Sequence, residues 1–506
     1  MFTSLFERAR ESWSRPRKPG ADRIALLLVV VLGLGSLWSW RYHFFFANYG
    51  DFVTEQVLPA LGRSDLVQRA VSVHGSLGGV SELRLDRWPL TSPYFRNYNT
   101  THDRLNPVGS DYLGVWHYVR EMLRGHDPYA FGLDYFTYNQ YAGRWPMVVD
   151  RTVPSQHVGA FSYFPGALLV LLPFYNGSYF VSFFIYLASL HLFLIAGAVV
   201  AVRRTRSAAL PLSMVFTVLF FSCFPLGLLV DRGNTEGVPL MLVASAIYAY
   251  RRERFHLAAV LLGVAASAKL FPAIFLALFV LDRRWRALAT GIAAGVAATL
   301  GTMLCLHAPV RTVMHELLSH LSGFNRYFLF DDNSVRFNHT FFNLIKGTLF
   351  CDLYNRHPTA GLELWGRMYP WLVLVLTLGM LWRLRRLPFD QRVLCLCVAM
   401  LAFPFISFDY TLVHLLVPFT IFLTAVMRRP QVSLRALAPV FVMAFLFVPK
   451  EYLVELYARR WGIGFACNAI ALGVLLVLGL FPAKEDRDDG PAVAEAAASS
   501  TDPEPA

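Results

Sequence analysis

The sequence predicts an all-α, polytopic membrane protein, and three observations predict it. Of its 506 residues, 56% are hydrophobic and only 16% charged, with a mean hydropathy of +0.45; a soluble chain carries about 25% charged residues. Apolar runs near the roughly 20 residues that a helix needs to cross a bilayer recur along the chain. Short arginine clusters separate them, as expected where basic residues fix the orientation of spans. That placement also takes the net charge of +12 away from nucleic-acid binding, since the arginines sit beside apolar segments. Cys223, Cys305, Cys395, Cys397 and Cys467 fall inside apolar runs, and Cys351 alone in a loop, which excludes a disulfide-built scaffold.

In chain order, an arginine-rich leader (1–23) precedes the first run, Ile24 to Trp40. The run lacks a small-residue cleavage pattern, so it is an uncleaved span with the N-terminus in the cytoplasm. Residues 42–160 hold no spanning segment and are long enough for a folded unit, which makes them a large first extracytoplasmic loop. Phe161 to Tyr175 is short and bracketed by Pro165 and Pro173, as in a shallow outer-side or re-entrant helix. Runs follow at Tyr179 to Val202, Ala208 to Val230, Val238 to Tyr250, Leu257 to Leu281 and Ala287 to Leu306, completing an N-terminal membrane module over 24–306. The run from Leu257 is interrupted at Lys269, Phe271 and Pro272 and predicts two short helices joined near the outer face. With that hairpin, Arg203 to Arg206, Arg251-Arg252, Arg283-Arg284, Arg383 to Arg386 and Arg428-Arg429 all lie on the side of the leader. A second extracytoplasmic loop (307–369) leads to C-terminal membrane helices (370–481) with runs at Pro370, Val393, Leu412, Leu434 and Gly462. The tail (482–506), rich in Ala, Asp, Glu and Pro, predicts a disordered cytoplasmic end. The total is about 10 to 13 membrane helices.

Residues able to carry chemistry gather on the outer face of this threading. Tyr112, Val115, Trp116, Val119 and Leu123 recur at helical spacing behind Asp111. Asp111 is either the N-cap of that helix or a general base at the membrane surface. In LLVDRGNTEG, Asp231, Arg232, Asn234 and Glu236 stand at the outer end of a span, where the arginine either binds a phosphate or anchors the helix end. Lys269 lies where an apolar hairpin breaks; an ionisable group there is a functional candidate or snorkels to the interface. Arg336, Asn338, His339 and Lys346 occupy the second loop, and Asp409 and His414 a later span edge. A histidine on a span more often satisfies a neighbouring-helix hydrogen bond than moves a proton. Acid, cations and amides thus converge from separate segments on one face. A lipid-linked phosphate needs that set: a base for an attacking hydroxyl, and positive charge for the departing phosphate. No P-loop, GxGxxG turn, GxSxG elbow, paired CxxC or internal repeat occurs.

In its order of motifs the chain resembles the integral-membrane glycosyltransferases of the GT-C superfamily, nearest to the bacterial family 87 enzymes that use polyprenyl-phosphate mannose. The resemblance runs from Ser110 to Trp285. It rests on an acidic residue opening an outer-loop helix that ends in Gly-x-x-Pro-Tyr (Gly125 to Tyr129), then Tyr-x-Pro (Tyr163 to Pro165), Arg-Gly-Asn (Arg232 to Asn234) and Ala-x-x-Lys-x-x-Pro around Lys269. It implies inverting transfer of a sugar, mannose foremost, from a polyprenyl-phosphate donor to a lipid or glycan acceptor on the extracytoplasmic side. The loop aspartate serves as base, which falls on Asp111. Arg232, Asn234, Lys269, Arg336 and His339 are then expected at the donor phosphate, with Tyr163, Glu236 and Asp409 elsewhere in the pocket. Related mannosyltransferases often carry an Asp-x-Asp pair in this loop, whereas Asp111 is followed by Tyr112 and Leu113. The sequence therefore requires no cofactor and leaves a divalent metal open, with Asp103 and Asp127 nearby. The arginine bias and the acidic Ala-Pro tail suit a bacterial inner membrane. A transporter would use Lys269 and a broken helix for alternating access, but lacks its repeated halves here. A polysaccharide polymerase or ligase would put more of its chemistry in residues 309–369.

Overall fold

The computed structural model describes residue 30 and residues 110–129, 163–177, 179–205, 208–330, 338–350, 361–428, 433–448 and 464–482. The leader, most of the first apolar run, most of the first loop and the C-terminal tail lie outside the described residues. The described residues form helices joined by turns, with a single bridge between Asn338 and Phe408 and no strand among them. The expected outer-loop helix is α1 (Ser110–Leu123), and α2 (Gly166–Leu171) with a 3-10 turn (Leu172–Phe174) forms the short helix between two prolines. Then come α3 (Tyr179–Arg204), α4 (Ala209–Ser222), α5 (Phe224–Arg232), α6 (Gly237–Arg251) and α7 (Phe255–Ala268). A 3-10 segment (Phe271–Leu276) leads into α8 (Ala277–Leu281), followed by α9 (Trp285–Cys305).

The run from Ala208 to Val230, expected as one span, is broken: α4 and α5 meet at a bend of 46°. Pro225 stands in the first turn of α5 and supplies no N–H to continue the helix before it. The hairpin at Lys269 breaks where expected, with Lys269 itself in an extended conformation. Residues 307–369, expected as a second outer loop, carry structure that their polar composition hid. Val310–Phe330 is a 21-residue helix, α10, burying Val313, Leu317 and His320 along one face at the i, i+4, i+7 spacing of an amphipathic helix. After it come α11 (Phe341–Ile345), a π-helical turn (Lys346–Phe350), α12 (Leu362–Leu384) and α13 (Phe389–Ala402). A 3-10 segment (Asp409–Leu415) then opens α14 (Leu416–Arg428), followed by α15 (Leu434–Leu446) and α16 (Gly464–Leu480).

Among the described residues, four helices are long and apolar enough to span a bilayer, or five if the bent pair is one span, and shorter apolar helices accompany them. The molecule is an all-α polytopic membrane protein. α13 is buried on every side from Val393 to Ala402, whereas α12 exposes Trp371, Leu374, Val375, Leu378 and Trp382, an apolar surface suited to lipid. Between them packing depends on close approach, because lipid tails offer an apolar side chain as much as another helix does. At the α7–α9 crossing a Cβ on Gly263 would lie 2.1 Å from the Gly291 carbonyl oxygen. Only glycine permits that crossing, which fixes the hairpin ending in Lys269.

Candidate active site

Three chain breaks meet at one point. α5 ends in Gly233, whose φ of +60° is the left-handed conformation that favours glycine. Its N–H and that of Asn234 return to the Val230 and Leu229 carbonyls at 3.0 and 2.9 Å. The turn projects Arg232 sideways and buries Asn234, Thr235 and Glu236 before α6 begins. Tyr186 of α3 clamps it from behind: its hydroxyl donates to the Asn234 carbonyl at 2.5 Å and accepts from the Gly237 N–H at 3.2 Å.

Asp111 reaches this turn from the first turn of α1. Arg232 donates to both of its oxygens, Nε to Oδ2 at 3.1 Å and Nη2 to Oδ1 at 3.0 Å. Asn234 Nδ2 donates to Oδ2 at 2.7 Å. The bidentate fork fixes both orientation and charge. Burial alone would push the Asp111 carboxyl up, but Arg232, Asn234 and Lys269 outweigh it and hold the group below the ordinary carboxylate range.

Lys269 enters at the break between α7 and the 3-10 segment. Its ammonium donates to Glu236 Oε2 and, at 3.3 Å, to Asn234 Oδ1. The rings of Tyr163, Phe271 and Tyr410 stand 5.5, 5.8 and 5.8 Å from it, a cage that stabilises a cation. Glu236, fully buried, is also bonded through Oε1 to His414 Nε2 at 2.6 Å. Asn234 is the hub: its amide donates to Asp111 while its oxygen accepts from Lys269 and from the Glu236 N–H. Tyr163 is half-buried beside Lys269, and its carbonyl accepts from the Tyr129 hydroxyl at 2.8 Å, which ties the Gly-x-x-Pro-Tyr turn to Tyr-x-Pro.

The 3-10 segment Asp409–Leu415 joins this cluster to a second one. Asp409 at its start accepts from Asn468 Nδ2 and pairs with His339 Nδ1, both at 3.1 Å, while Tyr410 and His414 serve the first cluster. The structure thus gathers Asp111, Arg232, Asn234, Glu236, Lys269 and Tyr163 into one site and sets His339 with Asp409 beside it. Arg336 and Asp103 lie outside the described residues. Asp127 does not join Asp111: Oδ1 accepts from the Tyr129 N–H at 2.9 Å, with Glu316 of α10 close by. Burial pushes the Asp127 and Glu316 carboxyls up. Among the described residues no three His, Cys, Asp or Glu side chains are grouped to hold a metal. Sequence reasoning passed over Tyr186, Tyr410 and Asn468. Asn468 had a signal, an amide inside an apolar run; the tyrosines, in an aromatic-rich chain, had none.

The sequence profile of glycosyltransferase family 87 matches residues 161–407. This region belongs to that family. The protein is therefore a membrane glycosyltransferase. No curated protein matches the chain, and no solved structure does. The matched residues hold Tyr163, Arg232, Asn234, Glu236, Lys269 and His339, whereas Asp111 precedes them and Asp409, His414 and Asn468 follow. The charged cluster thus draws on residues before, within and after the family region.

Proposed function

We propose that the protein transfers a sugar, most readily mannose, from a polyprenyl-phosphate carrier to a hydroxyl of a lipid or glycan, with inversion, and that Asp111 is the general base. The observation that carries this reading is the Asp111 carboxylate held by Arg232 and Asn234, with Lys269 close by. As the acceptor oxygen bonds to the anomeric carbon, its proton passes to Asp111 and the bond from that carbon to the phosphate oxygen breaks. An ionised carboxylate of low basicity accepts this proton late, once bond formation has made the hydroxyl acidic. Charge developing on the phosphate is stabilised by Arg232 and Lys269, with Asn234 orienting both partners. Arg336 and His339 are assigned to the same phosphate, and Glu236 and Asp409 to holding the cations and histidines in place. The enzyme belongs, in this reading, to a bacterial inner membrane with both termini in the cytoplasm and the site on the opposite face. Labelled sugar supplied as polyprenyl-phosphate mannose tests it: membranes with the native protein transfer label to acceptor, and failure with mannose but success with another carrier-linked sugar corrects the sugar alone. Lys269→Ala is expected to raise the donor KM more than the acceptor KM. Equal effects on both would contradict a phosphate role.

A further inference from the structure

A cavity of about 2010 Å³ lies away from the site described above, bordered by α3 to α7 and α13 to α15. Its walls are apolar, with Leu226, Leu240, Leu257, Leu261, Leu416 and Val417 among them. Three of its helices end together at its mouth. Arg428 donates to the Arg204 carbonyl at 3.1 Å, and Arg204 and Arg252 both lie over the Tyr248 ring, at 5.3 and 5.5 Å. Arg204, Arg251 and Arg428 are the last residues of α3, α6 and α14, and Arg252 and Arg254 complete the rim. Among the described lining residues these five arginines face one carboxylate, Asp390, which pairs with Arg251 at 2.5 Å. Arg204 and Arg251 lie near enough to repel Arg428. Uncompensated cations crowded at a membrane face call for an anion.

The depth of the cavity says which kind. The lining residues run from Phe193 to Arg204 on α3, Leu240 to Arg251 on α6 and Leu416 to Arg428 on α14, which at 1.5 Å per residue is about 16 to 18 Å. One leaflet of hydrocarbon is roughly 15 Å deep. α6 begins at Gly237, next to Glu236 of the site, and ends at Arg251, so the rim and the site stand at opposite ends of one helix. We propose that this groove is a binding site for an anionic phospholipid of the leaflet opposite the site: acyl chains fill the apolar trough and the phosphate lies among Arg204, Arg252, Arg254 and Arg428. The inference is independent of the sugar donor and of the role of Asp111.

Delipidated protein in detergent, titrated with phosphatidylglycerol, phosphatidylcholine or glycerol phosphate and read by native mass spectrometry, tests it. Phosphatidylglycerol is expected to bind about tenfold more tightly than phosphatidylcholine. The triple change Arg252→Gln, Arg254→Gln, Arg428→Gln is expected to erase that preference. Gly197→Phe provides a second test that leaves the charges alone. Gly197 lines the groove, and a Cβ there meets no atom within 4 Å; a ring at this position is expected to occupy the trough and to abolish uptake of both lipids. Thermal unfolding checks that both variants fold. Equal binding of the two lipids, an undiminished preference in the arginine variant, or glycerol phosphate binding as tightly as phosphatidylglycerol would overturn the proposal. So would the absence of lipid uptake by the native protein, which would mean that the chain fills its own groove.

Discussion

Asp111 keeps a charge that its burial opposes. Arg232, Asn234 and Lys269 bring its carboxyl below the ordinary value, so the stabilisation from this pair is present above an unfolded pKa of about 3.9 and is lost as pH falls through the lower folded value. Between pH 5 and 8 this group contributes no pH dependence. Arg232→Gln removes the strongest opposing charge and leaves burial dominant, so the carboxyl rises. The acid limb of the kcat/KM profile is then expected to move to higher pH, with the fold retained. A limb that stays in place would show that Asp111 is not the titrating base. The pairing of Lys269 with Glu236 behaves differently, because both side chains are shielded, at 13% and 0% exposure. Lys269→Met leaves an anion buried with His414 and is expected to cost about 3 kcal/mol in stability. Adding Glu236→Gln to it is expected to recover part of that loss, and strictly additive losses in unfolding experiments would contradict the coupling. The sequence singled out these charges because ionisable groups beside apolar runs are conspicuous. It did not disclose that Arg232 binds Asp111, 121 residues away, since pairing is a property of the assembled helices.

The breaks between helices, more than the helices, build the site. Pro225, Gly233 and Pro272 each end or restart a helix for a local reason, and the glycine and the second proline flank the site residues. The break at Lys269 was legible from Pro272 in an apolar run. The bend at Cys223 carried a similar signal in Pro225, but the run from Ala208 to Val230 has the length of a single span and run length alone does not divide it. α10 was missed because its exposed face is polar, so hydropathy alone read the segment as loop. The α7–α9 crossing makes a sharp contrast between glycines. Gly263→Ala places a methyl against the Gly291 backbone and is expected to destabilise the protein and lower activity by displacing Lys269. Gly197→Ala on α3 meets open space and is expected to be neutral or to stabilise by about 0.5–1 kcal/mol. Equal unfolding temperatures for the two variants would contradict the role given to the crossing.

At the scale of the molecule, the all-α membrane class followed from composition and run length, and the family region coincides with much of the motif order from Tyr163 onward. What composition could not supply is which segments meet. One helix, α6, has the charged cluster at its start and the arginine rim at its end, so the molecule is polar at both faces and apolar between. Asp111 and Asn468 complete the clusters from outside the family region, and a fragment limited to residues 161–407 is accordingly expected to lack transfer activity. The most direct measurement is transfer of labelled sugar from polyprenyl-phosphate mannose by membranes holding equal amounts of native protein or Asp111→Asn. Transfer by the native form, with loss of at least about a hundredfold in a variant of unchanged unfolding temperature, is the expected result. Equal transfer by a folded Asp111→Asn would contradict the account and leave Asp111 as a structural partner of Arg232.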